Sequence, residues 1–419
     1  MSVLDFLATN RRQLTCRRHG VIDNTEAPWS CSVCGATLRA APDLTSVDIR
    51  ADLDSRPHSM FRFRELLPIE SEPRAGAYTG WTPLVKAHRL GGVLRLDNLY
   101  LKLDCYNWPT YSYKDRVVAS ALQRALELGA TTVSCVSTGN VGNSVASMAA
   151  AVGLEAVIFY PAGLEPAKNV VSLVHGASVI ELDGTFDEVN AICRRLAMDT
   201  DVPFVNLTLR PFYAEGAKTV SYEIVEQLGW LQPDHVVVPT AGAALITRLA
   251  YGFEEMSVLG VTSGPLMPRI HAAQASGCAP IANAFAAGKA VPAPVVPDTI
   301  AKSLAIGNPG DGSVALEVIS DSSGSAQAVS DEHILAGIEL LATTEGVYTE
   351  PAGGTAVAAT RQLVESGAIA PDDVVVIIIS GSGLKTQEVN AGVLGEISRS
   401  STDYDTAKSL FLEKAGRHG

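Results

Sequence analysis

The sequence predicts an α/β protein with two doubly wound domains on parallel or mixed sheets, preceded by a small Cys/His-rich segment. Three observations predict it. The strand-like runs are continuously apolar rather than alternating, as expected of strands covered on both faces. Stretches of helical period separate them, so strand and helix alternate along the chain. The 419 residues are 47% hydrophobic and 18% charged, enough for two or three units with sizeable cores. That composition excludes a disordered or low-complexity chain.

Taken in order, the elements follow this grammar. An apolar helix is expected over 117–128 and a strand over 133–136. An Asn/Gly turn then leads into a small-residue helix over 144–152. Strands at 156–160, 178–182 and 202–206 alternate with helices at 167–175 and 186–198. The pattern resumes with strands at 235–239 and 258–261 around a helix at 244–254. Helices at 331–344 and 355–365 precede the most apolar strand, 373–379. The Pro-rich stretch 291–297 reads as a connection, and the polar tail carries a modest helical pattern over 404–414. The expected boundaries are 1–45 for the Cys/His segment and 46–230 for the first α/β domain, with a smaller mobile part near 101–206. The second α/β domain spans 231–395 and the tail 396–419.

Charge and punctuation exclude several functions. A net charge of −13 argues against a nucleic-acid partner. Residues 1–12 carry Asp5, Arg11 and Arg12 and no continuous apolar core, so no secretory signal is read there. The longest mostly apolar stretch, 145–164, is broken by Gly153, Glu155 and Pro161, which leaves no membrane span. Seven cysteines, an odd number, argue against a disulfide framework and for a reduced, cytoplasmic protein.

Two cysteine-containing pairs stand out near the start. Cys16-Arg-Arg-His19 and Cys31-Ser-Val-Cys34-Gly35 each place two residues between candidate ligands, and eleven residues separate the pairs. Three thiolates and an imidazole so spaced suit one tetrahedral structural zinc, a zinc-ribbon-like arrangement. The alternative is a chance cluster of reduced cysteines beside a surface histidine.

The most informative segment is Asp104-Cys-Tyr-Asn-Trp-Pro-Thr-Tyr-Ser-Tyr-Lys-Asp-Arg116. Lys114 follows a turn-rich loop and precedes an apolar helix. The helix dipole and the neighbouring Arg116 are expected to favour its neutral amine, the form that makes a Schiff base. Taken alone, it reads more readily as a surface lysine in a Lys-Asp-Arg charged turn. Further on, Ser137-Thr-Gly-Asn-Val-Gly142 follows a strand and opens a helix, offering amides to an anionic oxygen.

With these residues the chain resembles the threonine synthases, pyridoxal-phosphate enzymes of the tryptophan-synthase β fold (fold type II). Their lysine motif, Asn-Pro-Thr-Gly-Ser-Phe-Lys-Asp-Arg, is matched by Asn107, Pro109, Thr110, Tyr111, Ser112, Tyr113, Lys114, Asp115 and Arg116. Counterparts also exist for Ser137–Gly142, for Glu215-Gly-Ala-Lys-Thr219, for Ile306-Gly-Asn-Pro309, for Glu350-Pro-Ala352 and for Gly381-Ser-Gly-Leu-Lys385. The resemblance implies pyridoxal 5'-phosphate held covalently by Lys114, which also shuttles protons. Asn140 would bond the cofactor's 3'-oxygen and Ser380 its pyridine nitrogen. Thr240, Ala241, Gly242, Ala243 and Ala244 would receive its phosphate. Ser112, Ser137, Thr138 and Asn140 would bind the substrate, with Lys168 near its phosphate. Arg210, outside the family pattern, could clamp an anionic group. For Lys168 and Arg210 alike, the alternative is a solvated charge on a helix or turn. Cys16, His19, Cys31 and Cys34 would hold the structural zinc found in some members. A homodimer is the family expectation.

Departures from the pattern put the substrate in question. The phosphate loop keeps only Gly242 where the family has Gly-Asn-Gly-Gly-Asn. Trp108 is extra and Tyr111 replaces a glycine, both expected to add bulk near the reacting end. Arg210 stands in the segment where the family commonly has Asn-Pro followed by His-Arg. The leading expectation is conversion of O-phosphohomoserine and water to threonine and phosphate by γ-elimination and β-addition. Two others are β- or γ-replacement or elimination on another activated amino acid, such as cysteate formation from phosphoserine and sulfite, and a non-catalytic sensor that kept the fold.

Overall fold

The computed structural model describes residues 14–20, 27–45, 47–163, 166–390 and 397–416. The stretch read above for a secretory signal lies outside them. Among the described residues nine strands form two sheets: β1 (Leu84–Lys86), β2 (Asn98–Lys102), β3 (Thr132–Val136), β4 (Glu155–Pro161), β5 (Ser178–Leu182), β6 (His235–Pro239), β7 (Arg269–Ala275), β8 (Ala326–Val329) and β9 (Val374–Ile378). The larger sheet has the order β1-β2-β9-β6-β7-β8, the smaller β3-β4-β5. Of the ladders between these nine strands, β1–β2 is antiparallel and the rest are parallel.

The continuous apolar runs are explained by this layering. Val375, Val376, Ile377 and Ile378 of β9 are fully buried, and alternate members fall into two different core clusters, one on each face of the sheet. Truncating one to Ala would cost about 2–5 kcal/mol. The chain divides into a large unit, Met1–Thr386, and a small one, Gln387–Gly419. The small unit carries the helix Tyr404–Ala415, capped by Asp403, whose carboxylate accepts from Thr406 N at 2.9 Å.

Two expected strands are absent. Residues 202–206 make one isolated bridge, Ser134 to Phe204. Pro203 has no N–H to give a ladder, and the Asn206 side chain replaces backbone pairing. Its Nδ2 donates to Val136 O at 2.7 Å, and its Oδ1 accepts from Val136 N at 3.3 Å. Residues 258–261 are not a strand because the helix Ala244–Val258 runs into them. Gly260, at φ 67°, then turns the chain. The next strand is instead β7, whose Arg, His and Gln interrupt an otherwise apolar run.

Candidate active site

The loop that carries Lys114 is fixed by Asp115 and by the end of β9. Asp115 accepts from Thr110 N at 3.0 Å and Thr110 Oγ at 2.6 Å, folding the loop back on itself. Ser112 Oγ accepts from Lys114 N at 3.1 Å. Tyr113 N donates to Ser380 O at 2.9 Å, and Ser382 N to Tyr111 O at 3.0 Å. Lys114 therefore opens its helix, Lys114–Glu127, at the carboxyl end of a central strand, where parallel sheets bind ligands.

Arg116 is buried structure rather than a neighbour that discharges Lys114. Its Nε and Nη2 reach Asp104 at 2.8 and 2.9 Å, and its guanidinium also pairs with Glu223, which holds Lys102 Nζ at 2.7 Å. All four side chains are fully buried. The expected neutral amine is accordingly corrected. Burial pushes the Lys114 pKa down, but the phenols of Tyr113 and Tyr213 and the Glu350 carboxylate more than offset it. The Lys114 pKa lies above the ordinary lysine value, and Nζ is hydrogen-bonded to the Tyr113 hydroxyl.

Lys114 faces a cleft of about 390 Å³. Ser137, Thr138 and Asn140 form one wall. Ser137 Oγ accepts from Gly139 N at 2.9 Å and Gly142 N at 3.0 Å, which shapes the turn into the helix Asn140–Val152. Gly139 sits at φ 122°, and a Cβ there would lie 2.1 Å from Lys168 Cδ. Lys168 therefore packs beneath this loop. It does not line the cleft, and neither does Ser112; both support residues that do. The first amides of the Asn140 helix have no acceptor within it.

Thr240, Ala241, Gly242, Ala243, Ala244 and Ser380 lie on the same cleft. The first five enter the helix Ala244–Val258 after β6, so the helix begins at the cleft, as an anion site requires. Ala243 adopts φ 71°, a left-handed conformation that costs a non-glycine residue about 1–2 kcal/mol. Tyr111, in place of the family glycine, likewise sits at φ 60°. In both loops the glycine backbone persists although the glycine is gone.

The expected crowding is corrected. Trp108 and Tyr111 are 56% and 49% exposed, and neither lines the cleft. Sequence reasoning gave no role to Tyr113, which it placed in the lysine motif, or to Arg194 and Tyr213; all three line the cleft. Their signal is weak, since a tyrosine or arginine on a helix or loop usually faces solvent or core. Glu350 was visible in a motif but given no role. Here both its oxygens accept from Asn140 Nδ2, at 3.2 and 3.0 Å.

The two Cys/His pairs also meet. The ligand atoms of Cys16, His19, Cys31 and Cys34 all lie within 4.8 Å of one another. Cys16 and Cys34 sulfurs are 3.7 Å apart, close to the ~3.8 Å edge of a tetrahedron with 2.3 Å zinc–sulfur bonds. The Val33 and Cys34 amides both donate to Cys31 Sγ at 3.4 Å. They bring the Cys31 pKa down despite the opposing effect of burial. The donor set fits a structural metal.

A family model described as pyridoxal-phosphate dependent enzyme matches residues 77–381. The chain belongs to this family. The threonine synthase of Methanosarcina acetivorans is 36% identical over 393 residues, covering 93% of this chain and 96% of its own. That of Methanocaldococcus jannaschii is 33% identical over 397 residues, covering 93% and 97%. Within the family, this chain is threonine-synthase-like. Maize serine racemase superposes with a TM-score of 0.63 at 22% identity, covering 83% of this chain and 96% of its own. An O-ureido-L-serine synthase gives 0.64 at 19%, covering 78% and 98%. These two share the type II fold.

The residues present fit pyridoxal phosphate. An amine, a helix N-terminus and a hydroxyl share one cleft, and Asn140 Oδ1 is buried there without a hydrogen-bond partner. Such an orphan costs about 1–3 kcal/mol unless a ligand satisfies it.

Proposed function

We propose that this enzyme converts O-phosphohomoserine and water to threonine and phosphate. The observation that carries the reading is one cleft that combines Lys114, the Ser137–Asn140 amide turn, the 240–244 loop and Arg210. Pyridoxal phosphate, when bound, supplies an electron sink that acidifies protons near the amino-bearing carbon. The 240–244 amides would hold its phosphate, Asn140 its 3'-oxygen and Ser380 its pyridine nitrogen. Lys114 anchors it and carries protons at the substrate's Cα and Cβ. The Thr138 and Asn140 amides of the turn after Ser137 would bind the substrate carboxylate, and Arg210 the phosphate that leaves. Ser112 and Lys168 hold the two loops in place.

The same reading includes a zinc ion on Cys16, His19, Cys31 and Cys34, a homodimer, a cytoplasmic location, and domains bounded as the sequence suggests, with the part near 101–206 closing over the substrate. No described helix is long and apolar enough to cross a membrane. The test is to incubate cofactor-loaded enzyme with O-phosphohomoserine and quantify both products. Equal amounts of threonine and phosphate are expected. Phosphate with 2-oxobutyrate, or no turnover by protein with normal cofactor absorbance, would overturn the assignment.

A further inference from the structure

We infer that the N-terminal Cys/His hairpin is a wall of the catalytic cleft that builds the substrate's anion site, with Thr37 positioning Arg210. The inference rests on the proposal that Arg210 binds the substrate phosphate, and it assigns the ribbon a role in the reaction.

The hairpin that carries Cys31 and Cys34 also carries Thr37, through the Ser30–Thr37 bridge and the Cys31 N to Ala36 O hydrogen bond at 2.8 Å. Trp29, Ser30, Gly35 and Thr37 all line the cleft that holds Lys114. Arg210 Nε donates to Thr37 Oγ at 2.6 Å, and its Nη2 to Asp311 at 3.1 Å. Asp311 in turn accepts from Thr37 N at 2.8 Å and Thr37 Oγ at 3.0 Å. Its own amide donates to Gly242 O at 3.3 Å. One buried carboxylate thus ties together the hairpin, Arg210 and the cofactor-phosphate loop.

A second arginine marks the ligand's charge. Arg194 lines the same cleft, with its guanidinium 6.0 Å from the Trp29 ring centroid. Burial and the Arg210 charge both depress its pKa, and it makes no ion pair among the described residues. Two carboxyls also lie on this cleft. Glu350 is engaged by Asn140, and burial raises the pKa of Asp187 toward its neutral form. Arg210 and Tyr213 share the short helix Arg210–Glu215, and both line the cleft with Lys114, so the anion site and the amine open onto the same space. Two guanidiniums near each other suit a dianion such as a phosphate monoester. Fixing Arg210 in advance removes side-chain entropy that binding would otherwise have to overcome.

The test uses the cofactor-loaded full chain, with calorimetric titration of inorganic phosphate and steady-state kinetics on O-phosphohomoserine. Thr37→Val should weaken phosphate binding about tenfold and raise KM similarly. The kcat, cofactor absorbance and unfolding midpoint should stay near wild type. Thr37→Ser should restore affinity, Arg210→Met should abolish it, and Thr37→Ala serves if the valine variant does not fold. Wild-type phosphate affinity in folded Thr37→Val or Thr37→Ala, or in Arg210→Met, overturns the inference. Phosphate binding that depends on Arg210 and Thr37, without turnover, leaves it standing and rejects the assigned substrate.

Discussion

Arg116 and Arg210 sit in two motifs of one chain and do opposite work. Arg116 is sealed among Asp104, Glu223 and Lys102, two cations against two anions, with every side chain fully buried. Arg210 shares one carboxylate with a threonine and leaves Nη1 without a partner among the described residues, beside a second arginine in an open cleft. Compensated charge fixes the backbone that presents Lys114. Charge left incompletely compensated marks the place a ligand completes.

Breaking each arginine should separate the two roles. Arg116→Met leaves two carboxylates buried against one lysine and should cost about 3–5 kcal/mol, read by urea unfolding. Arg210→Met leaves buried Asp311 its donors Thr37 N and Oγ and should lower that midpoint by clearly less. An equal loss of stability in both would erase the distinction.

A third buried polar group extends the comparison to pH. His235 and His271 are 2.9 Å apart, with Asp373 at 3.0 Å from one and Ser325 at 2.8 Å from the other. Burial depresses both pKa values, that of His271 to about 3. The unfolded chain binds these protons near pH 6.5, whereas the fold does not bind the His271 proton until about pH 3. Stability should therefore be full above pH 6.5 and fall as pH drops toward 3, by a few kcal/mol. His271→Gln should flatten this slope between pH 7 and 5 in urea titrations; an unchanged slope would remove the pair as its cause.

The local part of the site was legible in the sequence and the long-range part was not. Lys114, Asn140 and the 240–244 loop lie on short motifs whose spacing and residue types carry the chemistry. The Cys/His pairs were legible for the same reason. Arg194, Tyr213 and the Thr37–Asp311–Arg210 link join residues far apart in sequence, which no periodicity reports. Trp108 and Tyr111 misled because motif position says nothing of which way a side chain leaves its loop. Strand 202–206 failed because an asparagine side chain took over the backbone's bonds.

The smallest expected effect tests the loop that lost its glycines. Ala243→Gly relieves a left-handed alanine and should raise the unfolding free energy by about 1 kcal/mol, less the entropy glycine adds to the unfolded chain. A loss of stability would show that the alanine methyl packs more than its backbone strains.

The central claim is that Lys114 holds the cofactor. Lys385 is its natural rival: it is buried, burial lowers its pKa to about 8, and it donates to Thr110 O at 2.9 Å, but it does not line the cleft. The most direct measurement is borohydride reduction of the cofactor-loaded protein, followed by peptide mass mapping. The account predicts the pyridoxyl mass on Lys114 and none in Lys114→Ala. The label on Lys385, or no label at all, would contradict it.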